Sequence, residues 1–300
     1  RGSHPVGWCP KDGNPVGQHD TLGDVEPEIG EYTVIKFNFG DSKLVTATLR
    51  PETIFGVTNI WIHPEIEYVK ISLNDEKWIV SRDSMFKFEH LIIDNSSTEI
   101  ISGNSLIGKW TENPFTQMKI QLLPATFVNS KNGTGLVMSV PSHAPYDYQA
   151  IVDFTQDHSL ISKYPDIDTT NLAPIDVIKT PRYDNTPAKQ IVSDLSIKNQ
   201  DDSKLVDATK ELYTLEFNSG KMIDIAGDYA NPASFDGIAG SNIAKAAGYA
   251  IVTGKYVSGS RDTDFTDDWF YFTVDTSTAT TGGITGGGFP VSVGPATLSA

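Results

Sequence analysis

The 300-residue sequence predicts a mixed α/β protein with a β-barrel-like core and peripheral helices. Three observations lead there. The first half carries short runs of β-branched and aromatic residues with a two-residue period, as in Glu31–Phe39 (EYTVIKFNF). Turn residues such as Gly40-Asp41 and Asn74-Asp75-Glu76 divide these runs. Helical periodicity enters only later, so strands and helices do not alternate as a doubly wound parallel sheet requires.

Taken in order, the segment PVGWCPKDGNPVGQHD from Pro5 is rich in Gly, Pro, Asn and Asp and reads as turns and short extended pieces. Glu31–Phe39 alternates like a half-buried strand, and Lys43–Thr48 is the second arm of its hairpin. Thr58–Ile62 is a third strand. Tyr68–Leu73 and Lys77–Ser81 form a second hairpin, and Met118–Leu123 and Gly135–Val140 add further strands. The first helix, Tyr148–Phe154, follows Asp147, whose carboxylate can cap the opening turn. Ala188–Leu195 follows Pro187, a favoured first-turn residue. Lys204–Phe217 places Leu205, Val206, Ala208, Leu212 and Leu215 on one broad face and stops near Gly220. Beyond it the pattern weakens. Pro232–Ala250 is rich in small residues, Asp268–Val274 reads as one strand, and Thr276–Gly288 is a Ser/Thr/Gly tract without periodicity.

With 39% hydrophobic and 10% aromatic residues the chain can bury a core. No apolar run approaches the roughly 20 residues that span a bilayer. No basic, then apolar, then small-residue opening marks a secretory signal. A single cysteine, Cys9, excludes an internal disulfide and a thiolate metal cage. These features predict a cytoplasmic protein with no membrane partner. The formal charge of −15 argues against broad, non-specific nucleic-acid binding. It leaves room for a local site that takes only the end of an RNA.

Two separated segments fit a hydrophobic core poorly: TATLRPETIFGVTNIWI (Thr46–Ile62) and GTGLVMSVPSHAPYDYQA (Gly133–Ala150). In the first, Pro51 stops a ladder, so backbone N–H groups near Leu49 and Arg50 can face a ligand oxygen, flanked by Thr46, Thr48 and Thr53. The plainer reading keeps the threonines as strand residues and pairs Arg50 with a surface acid. In the second, Gly133-Thr134-Gly135 is a turn or bulge before a strand. Ser142, His143, Tyr146 and Asp147 then gather where the strand ends, which is where small-molecule sites are often built. An ionised Asp147 suits a ligand ammonium group, whereas a structural His143 and a plain helix cap at Asp147 are the alternatives.

Together these segments resemble the inserted editing domain of leucyl-tRNA synthetase in its archaeal and eukaryotic form. HPVGWCPKDGNPVGQHDTLGDVEPEIGEYTVIKF and PAKQIVSDLSIKNQDDSKLVDATKELYTLEFNSGKM extend the resemblance to about residues 4 to 230. NPVGQHDT and VPSHAPYDY favour the leucyl over the valyl or isoleucyl editors, which stay as the nearest rivals. The resemblance implies the synthetase editing-domain fold over 33–230, with an extended lead-in over 1–32 and a Gly/Thr-rich C-terminal extension over 231–300. The nucleotide-binding signatures of the aminoacylation core are absent from the sequence.

The implied activity is deacylation of tRNALeu mischarged with isoleucine, valine, methionine or norvaline, with rejection of leucyl-tRNA. One methyl group is worth only about 1–3 kcal/mol of discrimination, so a second sieve is required. The resemblance implies Thr53 as the gatekeeper against a γ-branched side chain and Asp147 as the anchor of the substrate ammonium. It further implies Thr48, with the backbone of Leu49 and Arg50, at the carbonyl or the water. Val137 and Met138 would line the adenosine pocket, and Ser142 and His143 would border the amino acid. No cofactor and no metal are implied. The expected partners are the 3′ end of mischarged tRNALeu and the rest of the synthetase. A tRNA-end binding module without activity in isolation, and a structural fragment with an acidic tail, are readings of other classes.

Overall fold

The long spine of the sheet in the computed structural model is the twelve-residue β3 (Glu28–Phe39). The structure describes residues 7–9, 14–16, 28–73, 76–88, 94–223, 252–258 and 269–274. A turn at Gly40, whose φ of 59° suits glycine, returns β3 into β4 (Ser42–Thr48), with Thr33 opposite Thr48. Next come β5 (Asn59–Ile62), β6 (Glu67–Leu73), β7 (Glu76–Ser81) and β8 (Asp94–Ser102). A short α1 (Gly103–Leu106) precedes β9 (Trp110–Glu112), β10 (Lys119–Pro124) and β11 (Val137–Ser139). Helices α2 (Pro145–Gln156) and α3 (His158–Lys163) follow, then β12 (Ile178–Lys179), α4 (Pro187–Asp194), α5 (Lys204–Ser219) and β13 (Lys221–Met222). Strands β14 (Val252–Ser258) and β15 (Trp269–Val274) close the described order, and β1 (Gly7–Cys9) and β2 (Asn14–Val16) pair separately.

The main sheet runs β11-β5-β10-β9-β3-β4-β7-β6-β8, with β14 against β3 and β15 beyond it. It is mixed: β10 pairs parallel to β5 and β4 parallel to β7, and the other ladders are antiparallel. The sheet curls on itself. Thr134, just before β11, donates its hydroxyl to the Val45 carbonyl of β4 and accepts the Ser81 N–H of β7. The tyrosine hydroxyl of Tyr68 adds a second tie, donating to the Gly135 carbonyl and accepting the His63 N–H. Inside the curl lies the largest apolar cluster, including Phe37, Leu44, Ile60, Ile62, Ile120 and Leu122.

Strand β5 is buried on both faces, as a central strand must be. Ile60 and Ile62 point into the curl, whereas Trp61 points to the other side, where α2 packs Ala150, Ile151 and Phe154 against it. Helices α4 and α5 build a further cluster through Ile191, Val192, Leu205, Ala208 and Leu212. Among the described residues no helix is long and apolar enough to cross a membrane.

Every strand and helix expected within the described residues occurs, with ends shifted by a few positions. Strand β8, reading DNSSTEIIS, has no apolar alternation to announce it and forms because β6 offers an edge to pair with. Two local expectations fail. Val206 is 59% exposed rather than on the buried face of α5, because that face follows Leu205, Ala208, Leu212 and then Glu216. Asp147 does not cap α2: Ala144 is the residue before the first turn, and the Asp147 carboxylate bonds elsewhere. The Asn74-Asp75 turn, the small-residue stretch 232–250, the Thr276–Gly288 tract and most of 1–32 lie outside the described residues.

The Gly133-Thr134-Gly135 turn passes close against its neighbours. Gly135 has φ 75°, and a Cβ built there would stand 2.3 Å from the Ser81 Cβ. Gly135→Ala is therefore expected to lower stability by about 1–3 kcal/mol through crowding plus backbone strain. Urea unfolding of the variant beside the parent measures it, and an unchanged midpoint would show that this turn yields freely.

Candidate functional site

Pro51 has no N–H to donate, so the ladder of β4 ends at Thr48 and the chain turns into a 3-10 helix over Pro51–Gly56. The Thr48 hydroxyl oxygen accepts the Arg50 N–H at 3.0 Å. That backbone donor, expected from the sequence to face a ligand, is therefore already used. The Thr48 hydroxyl proton remains to be donated, because the oxygen acts in this bond only as acceptor. Thr53 is buried, and both its N–H (3.1 Å) and its hydroxyl (2.7 Å) donate to the Arg50 carbonyl. Two bonds to one acceptor hold its β-branch in a single orientation. Leu49 is exposed.

The second segment leaves β11 at Ser139 and closes a tight turn in which the His143 and Ala144 N–H groups donate to the Val140 carbonyl. Pro145 opens α2, and Asp147 lies in its first turn. Its carboxylate reaches back to the sheet. One oxygen accepts the indole N–H of Trp61 at 3.1 Å and the other the Val140 N–H at 2.9 Å. Burial pushes the Asp147 pKa up to about 6, with the Val140 and Trp61 donors pulling the other way. A carboxylate this well buried, held only by neutral donors in the bonds above, suits a cationic ligand group.

Arg50 turns inward from the first segment and meets His143 of the second. Its Nη1 donates to the His143 carbonyl at 3.3 Å, and its Nη2 to the Glu216 carboxylate of α5 at 2.5 Å. Nε pairs with Glu52 at 3.1 Å, and the guanidinium lies over the Tyr213 ring at 4.5 Å. The other Glu216 oxygen sits 2.7 Å from His143 Nδ1. His143 Nε2 accepts the Val177 N–H at 2.8 Å, so it carries no proton, and Nδ1 is the ring nitrogen that donates. Burial raises the Tyr213 hydroxyl to about 12, against the lowering influence of Arg50.

The structure thus brings Thr48, Arg50, Thr53, His143 and Asp147 to one end of the curled sheet. Other expected members fall differently. Ser142 and His143 are fully buried and bonded to protein: the Ser142 hydroxyl to Asp176, and His143 to Glu216 and Val177. Val137 is 36% exposed but Met138 only 5%, because successive residues of β11 face opposite sides and Met138 joins the core of the curl. Arg50 pairs with acids, as its plainer reading expects, but one of them is buried on a distant helix. Glu216 and Trp61 were missed from the sequence. Glu216 had a legible signal, an acid on the apolar stripe Leu205, Ala208, Leu212. Trp61 had none, since a tryptophan in a strand reads as core. Among the described residues no group of three or more His, Cys, Asp or Glu side chains is placed to hold a metal ion.

A family model described as leucyl-tRNA synthetase, editing domain, matches residues 29–172. The chain is 41% identical over 223 residues to the leucine–tRNA ligase of Methanothermobacter thermautotrophicus, covering 74% of this chain and 24% of that protein. It is 45% identical over 233 residues to the leucine–tRNA ligase of Methanothrix thermoacetophila, covering 77% of this chain and 24% of that protein. The chain thus spans about a quarter of the length of these relatives. Among solved structures it is similar to GlLeuRS-CP1, with a TM-score of 0.58, 26% identity and coverage of 72% of this chain and 93% of that one. The editing domain of the P. falciparum cytosolic leucyl-tRNA synthetase shares the fold at a TM-score of 0.60 and 19% identity, covering 72% of this chain and 94% of that one.

The setting of Asp147 has a measurable signature. Between the ordinary value of 3.8 and about 6, the folded protein keeps a proton that the unfolded chain has lost. Stability contributed at this position therefore falls as pH rises through that window and levels off above it. Asp147→Asn removes the titration, so parent stability relative to the variant should decline from pH 4 to 6 in urea unfolding. A difference that stays flat across that range would contradict a desolvated Asp147.

Proposed function

Residues 29–172 belong to the leucyl-tRNA synthetase editing-domain family, and from that premise we propose that this chain hydrolyses the ester joining a wrong amino acid to the terminal adenosine of tRNALeu. Its substrates are isoleucyl-, valyl-, methionyl- or norvalyl-tRNALeu, and leucyl-tRNALeu is refused. The observation that carries this reading is the buried Asp147 carboxylate, held by Trp61 and Val140 beside the loop that presents Thr48 and Thr53. The two motifs share one end of the fold, as a single pocket needs.

Asp147 binds the substrate α-ammonium, and the charge-assisted bond fixes the acyl group for attack. Thr53, its orientation held by the Arg50 carbonyl, turns its β-branch against a γ-branched side chain, which is specificity by repulsion. The Thr48 hydroxyl donates to the ester carbonyl or to the attacking water, next to the Leu49 and Arg50 backbone. Among the described residues no side chain at the site is assigned as a general base, so a neighbouring ribose hydroxyl of the substrate assists the water, and positioning and electrostatics carry the rate. Val137 offers the exposed face of β11 to the adenosine, with Met138 packed behind it. Ser142 and His143 border the acyl pocket from within, shaping it through the loop that leads to Asp147.

In this reading residues 33–230 form the editing unit, 1–32 lead into it and 231–300 extend it. The unit works as part of a cytoplasmic leucyl-tRNA synthetase, receiving the 3′ end of tRNALeu that the rest of that enzyme has mischarged.

Deacylation of isoleucyl- and leucyl-tRNALeu measured side by side tests the proposal. Hydrolysis of the isoleucyl ester alone is expected; turnover of neither, with tRNA-end binding retained, would leave only a binding module. Asp147→Ala should abolish deacylation while the chain stays folded by circular dichroism, and parent-level hydrolysis would remove Asp147 as the anchor. Thr53→Ala should admit leucyl-tRNALeu, and continued refusal of that ester would remove Thr53 as the sieve.

A further inference from the structure

Both motifs are tied to a residue that lies outside the 29–172 match, on the sixteen-residue helix α5. The Glu216 side chain is only 1% exposed, and each of its oxygens serves a different segment. One accepts Arg50 Nη2 at 2.5 Å and the other faces His143 Nδ1 at 2.7 Å. Through Arg50 the connection reaches both threonines, because the Arg50 N–H is held by the Thr48 hydroxyl and the Arg50 carbonyl receives both donors of Thr53. Through His143 it reaches the ammonium site. The His143 N–H donates to the Val140 carbonyl, and the Val140 N–H donates to Asp147.

We propose that Glu216 is a positioning residue for editing, setting the distance between the threonine loop and Asp147 by holding Arg50 and His143 with one carboxylate. The proposal rests on the hydrolytic reading above. It adds a specific chemical demand: the site needs two acceptors and a negative charge at one point. A glutamine there supplies one acceptor and one donor. Its amide must then oppose either the guanidinium or the Nδ1–H of His143, whose other nitrogen is committed to Val177. An aspartate keeps charge and both acceptors but withdraws them by one methylene.

The test compares the full chain with E216Q and E216D, each assayed well below its own melting temperature on isoleucyl-tRNALeu. For E216Q a roughly 10- to 100-fold fall in kcat with KM nearly unchanged is expected, since small misplacements of reacting groups cost that much. E216D should recover part of the loss. In parallel, imidazole 15N shifts should report the Nδ1–H tautomer of His143 in the parent and in E216D, and in E216Q they show whether the amide turns its donor on His143 or on Arg50. A folded E216Q that turns over at the parent kcat would overturn the proposal, and so would a parent His143 whose Nδ1 carries no proton to give Glu216. Should E216Q fail to fold, a folded E216D with the parent kcat would equally overturn it. Failure of the hydrolytic reading is distinguishable, because it appears as an inactive parent; the tautomer comparison then still decides whether Glu216 holds His143.

Discussion

The carboxylate of Glu216, buried between the guanidinium of Arg50 and the imidazole of His143, is the contact on which the rest of the site depends. Burial alone would lower the Arg50 pKa. Glu216 and the other neighbours more than offset this, and the net shift is upward, so Arg50 is held as the cation. Such a pair is a poor source of stability, since desolvating both ions consumes most of what their attraction returns. Its value lies in asymmetry. Breaking one partner strands the other charge at a cost of about 3–5 kcal/mol, so arrangements that separate β4, the turn at His143 and α5 are strongly disfavoured. Three segments far apart in sequence are thereby held in one geometry.

Asp147 is the complement of that pair. It is equally buried but has only the neutral donors Trp61 and Val140 against it, so burial outweighs their lowering influence and its pKa rises. The same fold thus contains a carboxylate compensated by an internal cation and one held by neutral dipoles. The compensated group suits scaffolding, and the other suits a ligand that brings its own positive charge, as the ammonium of an aminoacyl ester would. Tyr213 lies between the two settings, under Arg50 and close enough to Asp147 for that carboxylate to raise its pKa.

The sheet explains why the two carboxylates differ. Strand alternation sends Ile60 and Ile62 into the curl and Trp61 out toward α2, so the indole N–H meets the first turn of the helix. Pro51 ends β4 at the point where the next residues must leave the ladder, and Gly133 and Gly135 let the chain pass tightly between β4 and β7 before β11. None of these devices is large. Each places one segment within bonding distance of another.

The sequence by itself determined the class of fold, most of the strands, the three main helices and the two motifs, because periodicity, Pro51 and the glycine pair act over a few neighbouring residues. Through the family resemblance it also offers Thr48, Thr53 and Asp147 as catalytic candidates, with Leu49, Arg50, Val137, Met138, Ser142 and His143 around the substrate. Tertiary structure decided their orientation and their partners. The Asp147 carboxylate turned to Trp61 instead of capping its helix, His143 was enclosed, Met138 went to the core and left Val137 outside, and Arg50 found Glu216 across 166 positions of chain. Desolvation and hydrogen-bond pairing depend on what surrounds a group in three dimensions, and no local pattern encodes which distant residue will supply the missing acceptor.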